Sequence, residues 1–371
     1  MPHAPATAHA PATPISTARL EFHSESEAAA NLSVVERIGP CLFVASDEGA
    51  RIERLVTEDG AVYADHRSFA LADAFDLPAG PEGEADIEGM AADGGWLWVV
   101  GSHSLARRKP KKDDDDEAAL DRLTEVRHDP NRYLLGRIPL VADGAGGRLA
   151  LAAEGGGRKA GCLSFKNGGN ALTKALKEDE HLGRFLEVPA KENGFDIEGI
   201  AAHGDRLFLG LRGPVLRGWA CLLELSVEEG KKGGLKLRHI GPNGERYRKH
   251  FVDLDGLGIR ELTFDGEDLV ILAGPTMDLD GPVTVWRWTG ILDVRHETII
   301  PRARLTRLID LPFGQGTDHA EGIARVERAG ATPMLLVVYD SPAPERLHGA
   351  AVDADLFALP SRYDPANATL A

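Results

Sequence analysis

Apolar residues in this chain come in short runs on either side of a glycine, and the arrangement recurs. In "ADIEGMAADGGWLWVVGSHS" (85–104), Glu88 is followed six residues on by Gly94, nine on by Leu97 and eleven on by Val99. "NGFDIEGIAAHGDRLFLGLRGP" (193–214) repeats this from Glu198, with Gly204, Leu207 and Leu209. Arg260 leads to Gly266, Leu269 and Ile271, and Ser33 leads to Gly39, Leu42 and Val44. A fifth copy begins at Glu321, with a slightly longer turn before Met334. Each copy reads as a strand, a glycine turn and a second strand.

The positions 33, 88, 198, 260 and 321 are separated by 55, 110, 62 and 61 residues. The large gap is twice the small one. At its middle, Leu140 is followed by Gly146, Leu149 and Leu151, either a degenerate sixth copy or an outer strand of the second repeat. Further strands are expected at 219–227, 235–240, 283–288 and 304–312. Four short strands in a unit of about 55 residues is the signature of a β-propeller blade, which buries both its faces only by stacking on neighbours in a ring. The expectation is therefore an all-β propeller over residues 17–363, six-bladed on the strength of the long gap, with five blades as the alternative. The segment "TARLEFH" (17–23) is expected to close the ring in the last blade. Residues 1–16 read as a disordered lead and 364–371 as a tail. Insertions fall near 105–130 and 155–185: a block of plus then minus charges at 107–123 reads as a solvated loop, and 170–185 as a short amphipathic rim helix with Leu172, Leu176 and Leu182.

Composition narrows the class. With 42 glycines and 22 prolines the chain favours turns over long helices. Its formal charge of -16 repels phosphate backbones, so nucleic acid is not an expected partner. Cys41, Cys162 and Cys221 form no CxxC pair, which fits buried thiols in a reducing compartment. Without an export signal or a long apolar run, the expected setting is cytoplasmic, away from membranes. The sequence also lacks GxSxG, HExxH and GxxxxGK[ST], and "GGGRKAG" (155–161) reads as a flexible loop.

A two-strand hairpin returns its chain to the face where it began, so strand starts and second-strand ends gather around one mouth of the ring. That places Asp86, Glu88, Asp196, Glu198, Arg260, Glu261, His319 and Glu321 beside Asp47, Glu48, His103, Arg212, Arg217, Asp278, Asp280 and Asp340. Three readings stay open. The acids Glu88, Glu198 and Glu321 suit a Ca²⁺ or Mg²⁺ ion, and the nearby histidines also admit Zn²⁺ or Mn²⁺. Arg212, Arg217 and Arg260, with Asp86 and Asp196, suit a small polar or anionic ligand. Alternatively, the acids cap backbone groups and the arginines lock neighbouring blades together. His103 and His319 are the candidate bases.

The strings "KENGFDIEGIAAHGDRLFLGLRGPVLRGWA" (191–220), "GLGIRELTFDGEDLVILAGPTMDLDGP" (256–282) and "LFVASDEG" (42–49) resemble a bacterial propeller family, domain-of-unknown-function family 3616, from about residue 30 to 360. The chain is more distantly similar to the esterase-like phytase and SdiA-regulated propellers, which share the acid–glycine strand start. The close resemblance implies the fold and carries no activity. The distant ones imply hydrolysis of phosphate or other esters, with Ca²⁺ as a candidate metal, and the absence of an export signal sets this chain apart from them. The expectation is a propeller whose mouth binds a small polar or anionic molecule, with metal-assisted hydrolysis of an ester, phosphoester or lactone as its chemistry if it is an enzyme. The alternative is a non-catalytic binding or scaffold propeller that presents its rim to a protein partner.

Overall fold

The computed structural model describes residues 10–277, 279–327 and 332–361. The chain opens with β1 (Ser16–Glu21) and then builds sheets in sequence order. The first holds β2 (Val34–Ile38), β3 (Cys41–Ala45), β4 (Arg51–Val56) and β5 (Val62–Ala70). The second holds β6 (Ile87–Asp93), β7 (Trp96–Gly101), β8 (Leu135–Ala142) and β9 (Leu149–Leu151). The third holds β10 (Asp196–His203), β11 (Arg206–Gly213), β12 (Trp219–Glu229) and β13 (Arg248–Asp253). The fourth holds β14 (Gly258–Asp265), β15 (Asp268–Gly274), β16 (Val283–Trp288) and β17 (Thr306–Leu311). The fifth holds β18 (His319–Val326), β19 (Met334–Asp340) and β20 (Ala351–Ala358), and β1 completes it by pairing antiparallel with β20 from Ser16↔Leu356 to Glu21↔Ala351.

The protein is thus an all-β propeller. Its inner strands touch in the cyclic order β2, β6, β10, β14, β18 and back to β2. Among the described residues β1 also pairs in parallel with β5, so the first and fifth sheets run on as one eight-stranded sheet. Leu140 to Leu151 forms the outer β8–β9 hairpin of the second sheet, the second of the two readings its pattern had left open. The third sheet continues past β13 to Thr298–Ile300, which pairs with it in parallel, and of the strand expected at 235–240 only Leu235–Leu237 pairs, alongside β12.

Alternation along each strand explains why the sheets stack. In β11, Leu207, Leu209 and Leu211 point into the core shared with the second sheet, while Phe208 points into the core shared with the fourth. In β15, Leu269 and Ile271 face the third sheet, and Val270 and Leu272 face the fifth. Among the described residues five apolar cores result, each straddling one pair of neighbouring sheets. Each buried Leu or Val stabilises the stack by roughly 1.5–3 kcal/mol relative to exposure.

The insertions are more ordered than a loop. Between the paired strands Ala106–Arg107 and Val126–Arg127, the charged block carries a helix, α1 (Asp116–Thr124), whose N-cap Asp115 accepts a hydrogen bond from the Ala118 N–H. The rim helix is shorter than expected: α2 (Ala171–Leu176), closed at its start by a reciprocal Asn170–Thr173 cap. Leu172, Leu176 and Leu182 are fully buried against the third sheet. In the glycine-rich stretch, Glu154–Gly155 pairs with Arg158–Lys159. Of the expected disordered lead, residues 1–9 lie outside the described residues, whereas Ala12 and Ile15 donate backbone hydrogen bonds to Asp310 and Leu356. The tail at 364–371 also lies outside them. The three cysteines are unpaired, and no described helix is long and apolar enough to cross a membrane.

Candidate functional site

In four of the five repeats the recurring first position is a β-bulge or lies in an irregular strand start. Opposite β7 the register jumps from Ile87 to Gly89, leaving Glu88 unpaired. Arg260 and Glu321 are skipped in the same way, and Glu198 lies within the irregular start of β10. An extra residue breaks strict alternation and re-aims its side chain. Four inner strands thereby turn a long charged side chain towards one mouth. The glycine that follows has a separate cause. A Cβ on Gly89 would stand 2.8 Å from the Ile200 nitrogen, and one on Gly199 would stand 3.0 Å from the Glu261 Cα. The glycine of each "DIEG" lets adjacent inner strands approach backbone to backbone.

The mouth holds two kinds of acid. From the third to the fifth sheet the charges form a ladder. Arg212 reaches Asp196 Oδ2 and Glu198 Oε1, both at 2.6 Å. Arg260 Nε reaches Glu198 Oε2 at 3.0 Å, and the other arm of Arg260 pairs with Glu321. Burial works against the Arg212 charge, but Glu198 and Asp196 more than offset it and hold the guanidinium protonated. Asp196 is 1% exposed, and burial pushes its carboxyl up to about 7 in spite of Arg212. Burial likewise pushes Glu321 up to about 8, with Arg260 opposing.

Around the first and second sheets the pairing thins out. Asp86, at φ 50°, is held by Arg132 at 3.0 Å, and Arg132 also binds Glu84. Glu88 has no hydrogen-bond or ion-pair partner among the described residues. Burial raises its carboxyl well above the usual range, and Asp86, Glu198, Asp196 and Glu321 raise it further. Asp47 is pushed up to about 6 by burial and then by Asp86 and Asp340. These acids line a cavity of about 880 Å³ at the mouth. A smaller cavity of about 330 Å³ shares Arg212, Glu321 and Asp340 and adds Arg260 and His319.

The other expected residues scatter. His103 is 2% exposed and locked: Nδ1 lies 2.8 Å from the Gly101 carbonyl, and the Asn170 amide nitrogen lies 2.7 Å from Nε2. Burial lowers its pKa to about 4, so it is a neutral packing residue held by the cap of α2. His319 does stand at the mouth, with Nε2 at 3.0 Å from Asp280. Arg217 is exposed and borders neither cavity. Glu261 is buried and turns one oxygen to the Leu262 N–H. Asp278 lies outside the described residues.

The donor set does not fit a metal built on Glu88, Glu198 and Glu321. Both oxygens of Glu198 and one of Glu321 are engaged by arginine. Among the described residues, no three His, Cys, Asp or Glu side chains stand in an arrangement that could hold a metal ion. The guanidinium forks of Arg212 and Arg260 are likewise taken up by carboxylates of the chain itself. Two features escaped the sequence reading. Arg132 sits just before β8, and the same hairpin rule applied to third-strand starts would have found it. The charged insertion folds over the mouth, with Arg107, Arg108, Lys111, Arg122 and Arg127 bordering the larger cavity.

The chain is similar to several solved structures. Glutaminyl cyclase of Myxococcus xanthus is 10% identical with a TM-score of 0.38, over 94% of this chain and 100% of that one. The PQQ-bound aldose sugar dehydrogenase of Streptomyces coelicolor is 12% identical with a TM-score of 0.37, over the same shares. The WD40 domain of Toxoplasma gondii coronin is 8% identical with a TM-score of 0.33, over 95% and 89%. No curated protein matches the chain. Residues 31–355 match the family described as protein of unknown function (DUF3616), and the chain belongs to that family.

Proposed function

We propose that the protein is a ligand-binding propeller whose mouth takes up a small polar molecule through a cationic group, with Glu88 as the counter-ion. The observation that carries this is the position of Glu88. It sits on a bulge facing a cavity of about 880 Å³, among like charges, with no basic partner among the described residues. A carboxyl in that setting costs stability when ionised, and the cost is removed by a bound cation or by protonation. An ammonium or guanidinium group is the natural occupant, with Asp47 and Asp340 along the same wall. Such a pocket lies within the ~300–1,000 Å³ range of small-molecule sites.

An anionic ligand is less well supported, since the buried arginines are already paired. If the bound molecule is turned over, the acid–base role falls to Glu88, whose carboxyl burial and like charges raise well above the usual carboxylate range, rather than to His103. The test is a thermal-shift and calorimetric screen of small amines and guanidines, with the matching alcohols and carboxylates as controls. Amines should raise the melting temperature of the native protein and not of Glu88→Gln. Equal responses to amines and alcohols in both proteins would refute the reading.

A further inference from the structure

We infer that the ligand is a zwitterion of short-peptide size, its ammonium group on the acidic floor of the mouth and its carboxylate under a basic roof made by the insertion at 105–127; this rests on the floor binding a cation as proposed above. The larger cavity has two walls of opposite sign. Its floor is built by the start of an inner strand, which carries Glu88, and by two second-strand ends, which carry Asp47 and Asp340. Its roof is built by the insertion and carries Lys111 and Arg127, neither of which has an acidic side-chain partner among the described residues.

The roof is fixed over the floor. The Leu105 carbonyl accepts the Ala190 N–H at 2.9 Å, and Arg107 grips Glu192 with its second arm at 3.1 Å. Residues 189–192 lead directly into β10, so the roof is tied to the strand that supplies Asp196 and Glu198 to the cavity wall. Inside, the Arg212 side chain is 9% exposed and stands on the cavity wall with its outer nitrogens on Asp196 and Glu198. A molecule with only one sign of charge satisfies one wall and leaves the other bare. A zwitterion answers both, and each charge-assisted contact contributes about tenfold in affinity.

The experiment is equilibrium dialysis of the full-length protein against a mixture of unblocked tripeptides, read by mass spectrometry. The same mixture is run C-terminally amidated, which leaves only the cation, and N-terminally acetylated, which leaves only the anion. The unblocked peptides should be retained about tenfold more tightly than either blocked form. The Lys111→Ala/Arg127→Ala variant, altered only at exposed positions, should reduce unblocked peptides to the level of the amides and leave the amides unchanged. Glu88→Gln should weaken both. Equal retention of unblocked and amidated peptides would overturn the zwitterion and leave the acidic-floor reading standing. Retention of the acetylated form alone, or of neither the unblocked nor the amidated form, would overturn both.

Discussion

The chain writes "DIEG" twice, and the two copies end in different electrostatic states. Asp196 and Glu198 are clamped by Arg212, which stands fourteen residues beyond Glu198. Fourteen residues beyond Glu88 stands Ser102, which hydrogen-bonds Asp86 and cannot neutralise a carboxylate. Asp86 recovers an arginine from elsewhere, Arg132, while Glu88 recovers none among the described residues. One copy therefore knits the third, fourth and fifth sheets together through Arg260 and Glu321. The other leaves an acid facing the cavity. The same backbone device, a bulge followed by a close-packed glycine, serves cohesion in one half of the mouth and turns an acid towards the cavity in the other.

The comparison can be broken most severely at Arg212. Arg212→Ala strands Asp196 and Glu198 without a counter-ion, and should cost roughly 3–5 kcal/mol in urea unfolding. Arg132→Ala should cost about half of that, because Glu84 is more exposed and Ser102 still serves Asp86. A cost for Arg132 equal to that for Arg212 would show that the two halves are held alike.

Next in size is the response to pH. Asp47, Asp196, Glu321 and Glu36 are raised to about 6, 7, 8 and 8, by burial above all, so the folded protein binds protons that the unfolded chain releases at about 4. Their contribution is complete below the ordinary carboxylate range and is lost as pH rises through 6 to 8. Glu224 works in the opposite sense. Burial opposes its charge, yet hydrogen bonds from His250 and Arg206 hold it down to about 2, so its contribution is lost as pH falls from about 4 through 2. The melting temperature should therefore peak on the mildly acidic side and decline towards pH 8.5. A rise from pH 5 to 8.5 would contradict the assigned shifts. The smallest effect is that of Glu88→Gln, which removes a repelled charge and should stabilise the protein at pH 8 by on the order of 1 kcal/mol, with little change at pH 5.

The fold was legible because its cause is periodic. The spacing from Glu88 to Leu97 recurs from Glu198 to Leu207, and alternation of the kind seen in Leu207, Phe208 and Leu209 can be read directly. The place of Leu140–Leu151 was not, since it has the same apolar pattern whether it starts a sheet or ends one. Only its pairing distinguishes the two. The convergence of Asp86, Glu88, Asp196, Glu198, Arg260 and Glu321 at one mouth followed from the hairpin rule. Which acid would meet which arginine did not, because that depends on the bulge geometry and on Arg132 arriving after a long insertion. His103 shows the same limit: its flanking serines resemble a polar loop, and the Asn170 amide that buries it lies 67 residues away.

The division of the mouth is tested most directly by unfolding Glu88→Gln and Glu198→Gln in urea at pH 8, side by side with the native protein. Glu198→Gln should lose about 2–4 kcal/mol, because Arg212 and Arg260 both forfeit a carboxylate. Glu88→Gln should be as stable as the native protein or more so. If the two variants were destabilised equally, Glu88 would be part of the ladder that holds the sheets, and the account of an acid kept open for a ligand would fail.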